Sequence, residues 1–308
     1  MNQSQHITYH TGSGQTYLIQ SYAKINLTLD VSGRRDDGYH ELITIMQTLA
    51  LYDTLYLTTI EENHVHLTCT RADLSNTHNL AARAAEAVRQ YLGIQQGLAI
   101  ELQKRVPVAA GLGGGSSNAA SVLLALMHLW NLPLSLQELQ EIAASLGSDV
   151  PFFLTGGMAL CQGRGEHITP LHLRWPKEMR WILLLKPAID VSTATVYRNL
   201  TPSDYCAGAS SHSLLASLET GNNFSFDYLH NSLERGVLEH YPAVAQAQEA
   251  VRQAGAPFVQ LSGSGPTLFA PFATLTPAAL AQRRLQKQGY EVYLTYPFFP
   301  GNKILHLF

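Results

Sequence analysis

PVAAGLGGGSSNAASVLLAL, residues 107–126, sets Gly111, Gly113, Gly114 and Gly115 just before Ser116, Ser117 and Asn118, and then runs into an apolar stretch rich in alanine and leucine. Glycine has no Cβ, so its backbone approaches a ligand closely and takes positive φ. A helix start exposes unpaired N–H groups and the positive end of the helix dipole. Together these predict an anion cradle, and the favoured anion is a polyphosphate. The spacing is not that of a Walker loop, because no Lys follows the last glycine. Nor is it a dinucleotide fingerprint. Ser116 takes the sixth place of GxGxxG, and no acidic residue about 20 positions on is placed for a ribose. A tight turn alone would also use such a run.

Upstream, residues 22–31 alternate strictly. Ala23, Ile25, Leu27, Leu29 and Val31 fall on one face, and Lys24, Asn26, Thr28 and Asp30 on the other. Period two predicts a strand with one buried face, from which Lys24 and Asn26 project on the same side. Residues 33–42, GRRDDGYHEL, read as a charged loop, and residues 53–60 and 64–70 as a strand pair. Residues 79–92 have helical spacing with Asn79 as N-cap, and residues 98–102 form a strand leading to the glycine loop. Ser135 and Glu138 form a capping-box signature, and Gly147 stops the helix behind it.

Further strands are expected at 156–162, 180–185, within 259–272 and at 290–296. A helix is expected at 242–255, and another with Thr276 as cap and Pro277 at its first position. Residues 204–223 read as a long loop with one helical turn. The order lacks a regular βα alternation, which favours α+β over a doubly wound sheet.

At 308 residues the length suggests about two domains, with a boundary somewhere near residues 155–175. A net charge of −3 gives no reason to expect nucleic acid or a membrane surface as partner, so a nucleotide would need a local site. Cys69, Cys161 and Cys206 show no CxxC spacing, which argues against a disulfide framework and suits a reducing cytoplasm. The polar first 15 residues read as a frayed terminus rather than a secretory signal. His6, His10, His64, His66, His167 and His172 fit no metal spacing.

A phosphate cradle becomes a kinase when a second group orients the acceptor hydroxyl and a third offsets the transferring charge. Residues 147–152, GSDVPF, place Asp149 just after a helix, beside a proline-fixed turn. Asp149 could take the hydroxyl proton while Lys24 offsets phosphate charge. From the pattern alone, Asp149 reads equally as a turn residue and Lys24 as a solvated strand face.

The chain resembles the GHMP kinase superfamily, whose three short motifs come in fixed order. They stand here as residues 23–27, AKINL; residues 107–119, with one extra glycine in GLGGGSS; and residues 261–267, LSGSGPT. RRDDGYHEL, GSDVPFF and Val191-Ser192-Thr193 bring it closer to the branch that phosphorylates a cytidylated polyol phosphate in the non-mevalonate route to isoprenoids. The resemblance runs from about residue 21 to about residue 272. It implies a two-domain α+β GHMP fold, an ATP-binding unit over residues 1–160 and a C-terminal unit over 161–308, with the site in the cleft between them.

It implies Lys24 and Asp149 as the catalytic pair. It implies Asn26, Tyr39, His40 and Tyr197 as acceptor contacts, with the aromatics around cytosine. It implies ATP at Pro107, Gly111, Gly113, Gly114, Gly115, Ser116 and Ser117, with Asn79 and Lys104 near the adenosine. It implies that Ser262, Gly263, Ser264 and Gly265 brace the glycine loop and the phosphates. Mg²⁺ is expected, with Ser117 as a hydroxyl candidate for an otherwise unassigned ligand set. Met46 stands where many relatives carry an aromatic against cytosine. The oligomeric state stays open. Two other readings are a GHMP kinase for a sugar, homoserine or mevalonate-type alcohol, and a non-catalytic nucleotide-binding protein on the same fold.

Overall fold

The computed structural model describes residues 6–11, 14–221 and 224–300. Two very long strands form its frame. Strand β1 (His6–Thr11) turns back onto β2 (Gly14–Arg34), and β2 pairs along its length with β3 (His40–Ile60). Residues 6–11 are thus a paired strand rather than part of a frayed end, while residues 1–5 and 12–13 lie outside the described residues. The charged loop is shorter than expected. Both strands run into it, and only residues 35–39 turn, with Gly38 at φ 85°.

Next come β4 (Val65–Cys69), α1 (Leu80–Leu92), β5 (Gly97–Gln103), α2 (Gly114–Leu129), α3 (Leu136–Leu146), α4 (Val150–Thr155), β6 (Met158–Gly163) and β7 (His167–Leu171). The expected pairing of residues 53–60 with 64–70 does not form. Strand β5 inserts between β3 and β4 and runs parallel to β4. Its apolar Leu98, Ile100 and Leu102 are each at most 1 % exposed, which explains why β5 takes a central place.

The C-terminal part holds β8 (Trp181–Lys186), α5 (Thr193–Arg198), α6 (Ala209–Thr220), β9 (His230–Asn231), α7 (Glu234–His240), α8 (Pro242–Gln253), β10 (Gln260–Leu261), β11 (Leu268–Phe272), α9 (Leu275–Lys287) and β12 (Glu291–Thr295). Strands β10-β11-β8-β12 make a four-stranded antiparallel sheet. The eight-stranded sheet keeps β6 and β7 and takes back β9 beside β2. Position 160/161 therefore falls inside β6, within the larger sheet.

Two expectations need correction here. Residues 209–220 are a full helix, not a loop with one turn. Leu214 and Leu218 lie one turn apart and are buried, but the surrounding serines dilute the apolar period. Residues 222–223 of the expected loop lie outside the described residues. Helix α9 starts at Leu275 behind Thr274, so Thr276 is not its cap and Pro277 sits inside the first turn, where a missing N–H costs little.

Helices α1 to α4 cover one face of the large sheet, where Leu55, Leu57, Leu98, Ile100 and Leu102 meet Ala84, Val88, Val122, Leu126, Leu139 and Phe152. Against the other face, Ala23, Ile25, Leu27 and Ile45 pack on Ile182, Leu184, Leu214 and Phe269. The odd-numbered residues of β2 change face. Tyr17 and Ile19 belong to the helix-side core, and Ala23, Ile25 and Leu27 to the inter-sheet core. A register shift between Tyr22 and Ala23 lies where the change occurs. It turns Lys24 and Asn26 toward the glycine loop. Both faces of β2 are covered, so the expected solvated face is absent: Lys24 is 3 % and Asn26 2 % exposed, and Thr28 and Asp30 are fully buried.

Candidate active site

The glycine loop is fixed from beneath by one carboxylate. Asp53, fully buried on β3, accepts hydrogen bonds from Arg105 N (2.7 Å), Val106 N (2.8 Å), Lys104 Nζ (2.5 Å) and Asn118 Nδ2 (2.9 Å). A buried carboxylate is stable when its oxygens are filled this way. Val106, Ala110 and Leu112 sink into the inter-sheet core, and Leu112 O accepts Lys24 N at 2.9 Å. Gly113 then takes φ 69° as the residue before α2. A Cβ there would stand 2.7 Å from Phe153 Cζ and 3.0 Å from Lys24 Cγ, so only glycine fits without displacement. The α2 N-terminus is therefore open toward the space beside Lys24.

Lys24 Nζ donates to Asn26 Oδ1 at 2.6 Å and lies 3.4 Å from Asp149 Oδ2. Asn26 Nδ2 donates in turn to Thr44 Oγ1, fixing the amide. Asp149 precedes α4, and its side chain makes no capping bond. A carboxylate left free of its own helix faces a buried ammonium at the edge of an open space.

That space is a cleft of about 870 Å³. Its glycine-loop side is Ala109, Gly111, Gly113 and Ser116, facing Gly263, Ser264 and Gly265. Ser262 Oγ donates to Gly111 O at 3.1 Å, and Asn231 Nδ2 donates to Leu261 O and Gly263 O, so the two loops are tied together. Thr193 Oγ1 lies 2.7 Å from Ser264 Oγ.

The far end is aromatic and cationic. The His40 ring centroid lies 5.3 Å from Tyr197 and 6.3 Å from Tyr205, and the Arg164 guanidinium lies 4.8 Å over the exposed Tyr39 ring. Arg34 and Arg198 line the same end. Burial, and next the charge of Arg34, hold the His40 imidazole below its ordinary value. Burial, with the Asp149 charge adding, pushes the Tyr197 phenol up. Both therefore present neutral rings at pH 7.

The structure thus brings Lys24, Asn26, Tyr39, His40, Gly111, Gly113, Ser116, Asp149 and Tyr197 into one cleft. Pro107, Gly114, Gly115 and Ser117 are not among its lining residues. Ser117 is buried and accepts from Ser21 Oγ at 2.8 Å. Lys104 is held by Asp53 under the α2 start, and Asn79 caps α1 by accepting from Ala81 N. Met46 is buried and lines the cleft at its base, opposite Asn26 on β2. Arg164, Tyr205, Asp53 and Asn231 were not singled out from the sequence. A charge between two glycines (Gly163-Arg164-Gly165) is the one local signal that could have marked Arg164; the other three carry none.

Comparison with known proteins adds a second line. The GHMP kinases N terminal domain matches residues 79–157, and the GHMP kinases C terminal domain matches residues 207–291. The chain belongs to the GHMP kinase family. Relatives of this GHMP kinase include 4-diphosphocytidyl-2-C-methyl-D-erythritol kinase of Alkaliphilus oremlandii, 39 % identical over 94 % of this chain and 99 % of the relative. The enzyme of the same name from Caldicellulosiruptor saccharolyticus is 40 % identical over 90 % and 96 %. A crystal structure of 4-(cytidine 5'-diphospho)-2C-methyl-D-erythritol kinase superposes with TM-score 0.78 at 33 % identity, covering 92 % of this GHMP kinase and all of that chain. Homoserine kinase from Cytophaga hutchinsonii matches at TM-score 0.69 and 18 % identity, a likeness of fold alone.

Proposed function

We propose that this GHMP kinase transfers the γ-phosphoryl group of ATP to the 2-hydroxyl of 4-diphosphocytidyl-2-C-methyl-D-erythritol, giving the 2-phosphate and ADP, as a step toward isoprenoid precursors. One observation carries the reading. The Lys24–Asp149 pair stands between an open helix N-terminus and an aromatic, arginine-lined end of the same cleft. The acceptor's base would lie among Tyr39, His40 and Tyr197, stacking on neutral rings. Its diphosphate would meet Arg34, Arg164 and Arg198, whose planar forks suit phosphate oxygens. This orientation directs the polyol toward Asp149.

Asp149 accepts the hydroxyl proton as the new P–O bond forms, and Lys24 offsets the charge that gathers on the transferring group. Gly111, Gly113 and Ser116 offer backbone N–H groups to the nucleotide phosphates. The adenosine would lie beyond the loop, where the starts of α1 and α2 meet near Asn79 and Lys104. Leu80 Cδ1 lies 3.5 Å from where a Gly115 Cβ would stand. Mg²⁺ fits the Ser116 hydroxyl at the cleft, which would hold it together with phosphate oxygens and water, leaving Asp149 to Lys24 and the acceptor proton. The metal's part is to neutralise β- and γ-phosphate charge. Ser117, with its hydroxyl bonded to Ser21, suits that part less well.

Coupled ADP release with Mg²⁺-ATP tests the reading. Turnover is expected with the cytidylated acceptor and not with 2-C-methylerythritol phosphate, homoserine or mevalonate. Turnover with homoserine or mevalonate instead would move the acceptor assignment to another branch of the family.

A further inference from the structure

Outside the cleft, three side chains with different donor atoms converge from three parts of the chain. Asp30 lies on β2, Cys206 on the segment before α6, and His230 opens β9. One potential ligand atom from each lies within 4.8 Å of the other two. Asp30 is fully buried, and among the described residues no Lys, Arg or His comes within ion-pair distance of it. Its carboxylate accepts from Ser211 N at 2.8 Å and from the Cys206 thiol at 3.2 Å. A thiol is a weak donor, so this is thin compensation for a buried charge. By contrast, Asp53 has four stronger donors, one of them cationic.

We propose that Asp30, Cys206 and His230 bind one Zn²⁺ ion. Zinc takes carboxylate oxygen, thiolate sulfur and imidazole nitrogen together, at about 2.0–2.3 Å, in a tetrahedron. Those bond lengths require ligand atoms about 3.2–3.8 Å apart, and the Asp30–Cys206 pair already stands at 3.2 Å. Mg²⁺ and Ca²⁺ prefer all-oxygen sites, which this is not. Ser232 Oγ lies 3.4 Å from both Cys206 Sγ and His230 Nε2 and links thiol and ring. Cys206 and His230 are only part-buried, which leaves the fourth position to water. The ion would pin the segment carrying α6 and the start of β9 to the same strand that carries Lys24. This inference stands apart from the choice of acceptor.

The test uses the full chain, stripped with a chelator and reloaded with zinc alone. Elemental analysis is expected to find one zinc per chain after removal of excess. Cobalt in its place is expected to show a thiolate-to-metal charge-transfer band. Zinc is expected to raise the melting temperature in proportion to the logarithm of its free concentration. Cys206→Ser and His230→Gln should each weaken binding by more than the roughly 10- to 100-fold that loss of a group merely supporting a ligand costs. Should Cys206→Ser fail to fold, alkylation of the wild-type chain decides: zinc should protect Cys206 and leave Cys69 reacting as before. Absence of retained zinc, a cobalt spectrum without the thiolate band, or an unprotected Cys206 would each overturn the proposal.

Discussion

Asp149 and Lys104 both pair a carboxylate with an ammonium, yet their surroundings give them opposite consequences. Asp149 is about a third exposed, faces the cleft and caps nothing, so its removal leaves the fold intact. Asp149→Asn is expected to lower kcat by about 10²–10⁴-fold, with the KM for ATP changed little. Steady-state coupled kinetics reads both numbers, and a variant with near-normal turnover would take Asp149 out of the chemistry. Lys104 is 6 % exposed against a fully buried Asp53. Lys104→Met leaves that carboxylate without its cation and is expected to cost about 3–5 kcal/mol of stability. Chemical denaturation measures this. A variant of normal stability with a weakened ATP KM would instead make Lys104 a nucleotide contact alone.

At the other end of the cleft, Arg164→Ala should raise the KM for the cytidylated acceptor and leave that for ATP in place. Tyr39→Ala should do the same. An equal rise in both constants would remove these residues from the acceptor end. The depressed imidazole of His40 gives a pH signature. Its titration midpoint lies below 6.5, the ordinary value, so the ring is mostly neutral at pH 6.5 and gains its charge chiefly below it. The acceptor KM should therefore change little between pH 8 and 7 and rise mainly below 6.5. A rise whose midpoint lies above 6.5 would point to another group.

Among the elements, local chemistry was the legible part. The Asn79 cap, the Ser135–Glu138 capping box and the glycine start of α2 are each written in a few adjacent residues, and each forms. Pairing across the sheet was not legible. That β5 divides β3 from β4 depends on burial of Leu98, Ile100 and Leu102, which no local pattern specifies. The register shift beside Lys24 lies in the partner strand as much as in β2, so alternation alone put Lys24 and Asn26 on one side but gave them the wrong surroundings. Helix α6 was missed because its period is carried by Leu214 and Leu218 among serines.

Two substitutions separate the roles of elements. Gly113→Ala must hold an alanine at φ 69°, a strain of about 1–2 kcal/mol, and push Phe153 and Lys24 aside. Phosphoryl transfer should fall at least tenfold while secondary structure by circular dichroism persists. Ser135→Ala removes a cap on α3 and should cost about 1 kcal/mol with unchanged kinetics. Loss of activity in Ser135→Ala without loss of stability would mean that α3 reaches the cleft.

On the scale of the whole molecule, the cleft belongs to neither end of the chain. Gly111 O meets Ser262 Oγ, and β9, from far along the chain, joins the sheet that carries the glycine loop. No helix among the described residues is long and apolar enough to cross a membrane. A fragment ending at residue 160 would lack half of β6 and all of β7 and β9, leaving an apolar edge on β3. It should aggregate, whereas the full chain should unfold in one transition by fluorescence and circular dichroism alike; a soluble, folded fragment would argue otherwise.

Asp53 carries one more implication. Its four donors clamp both the entry to the glycine loop and the first turns of α2, and Leu112 plugs the remaining slack. A loop held so is a seat and not a flap. Nucleotide should therefore dock in a single step, its observed rate in stopped flow rising linearly with ATP concentration and never levelling off, and any slow rearrangement in the turnover cycle should belong to the acceptor.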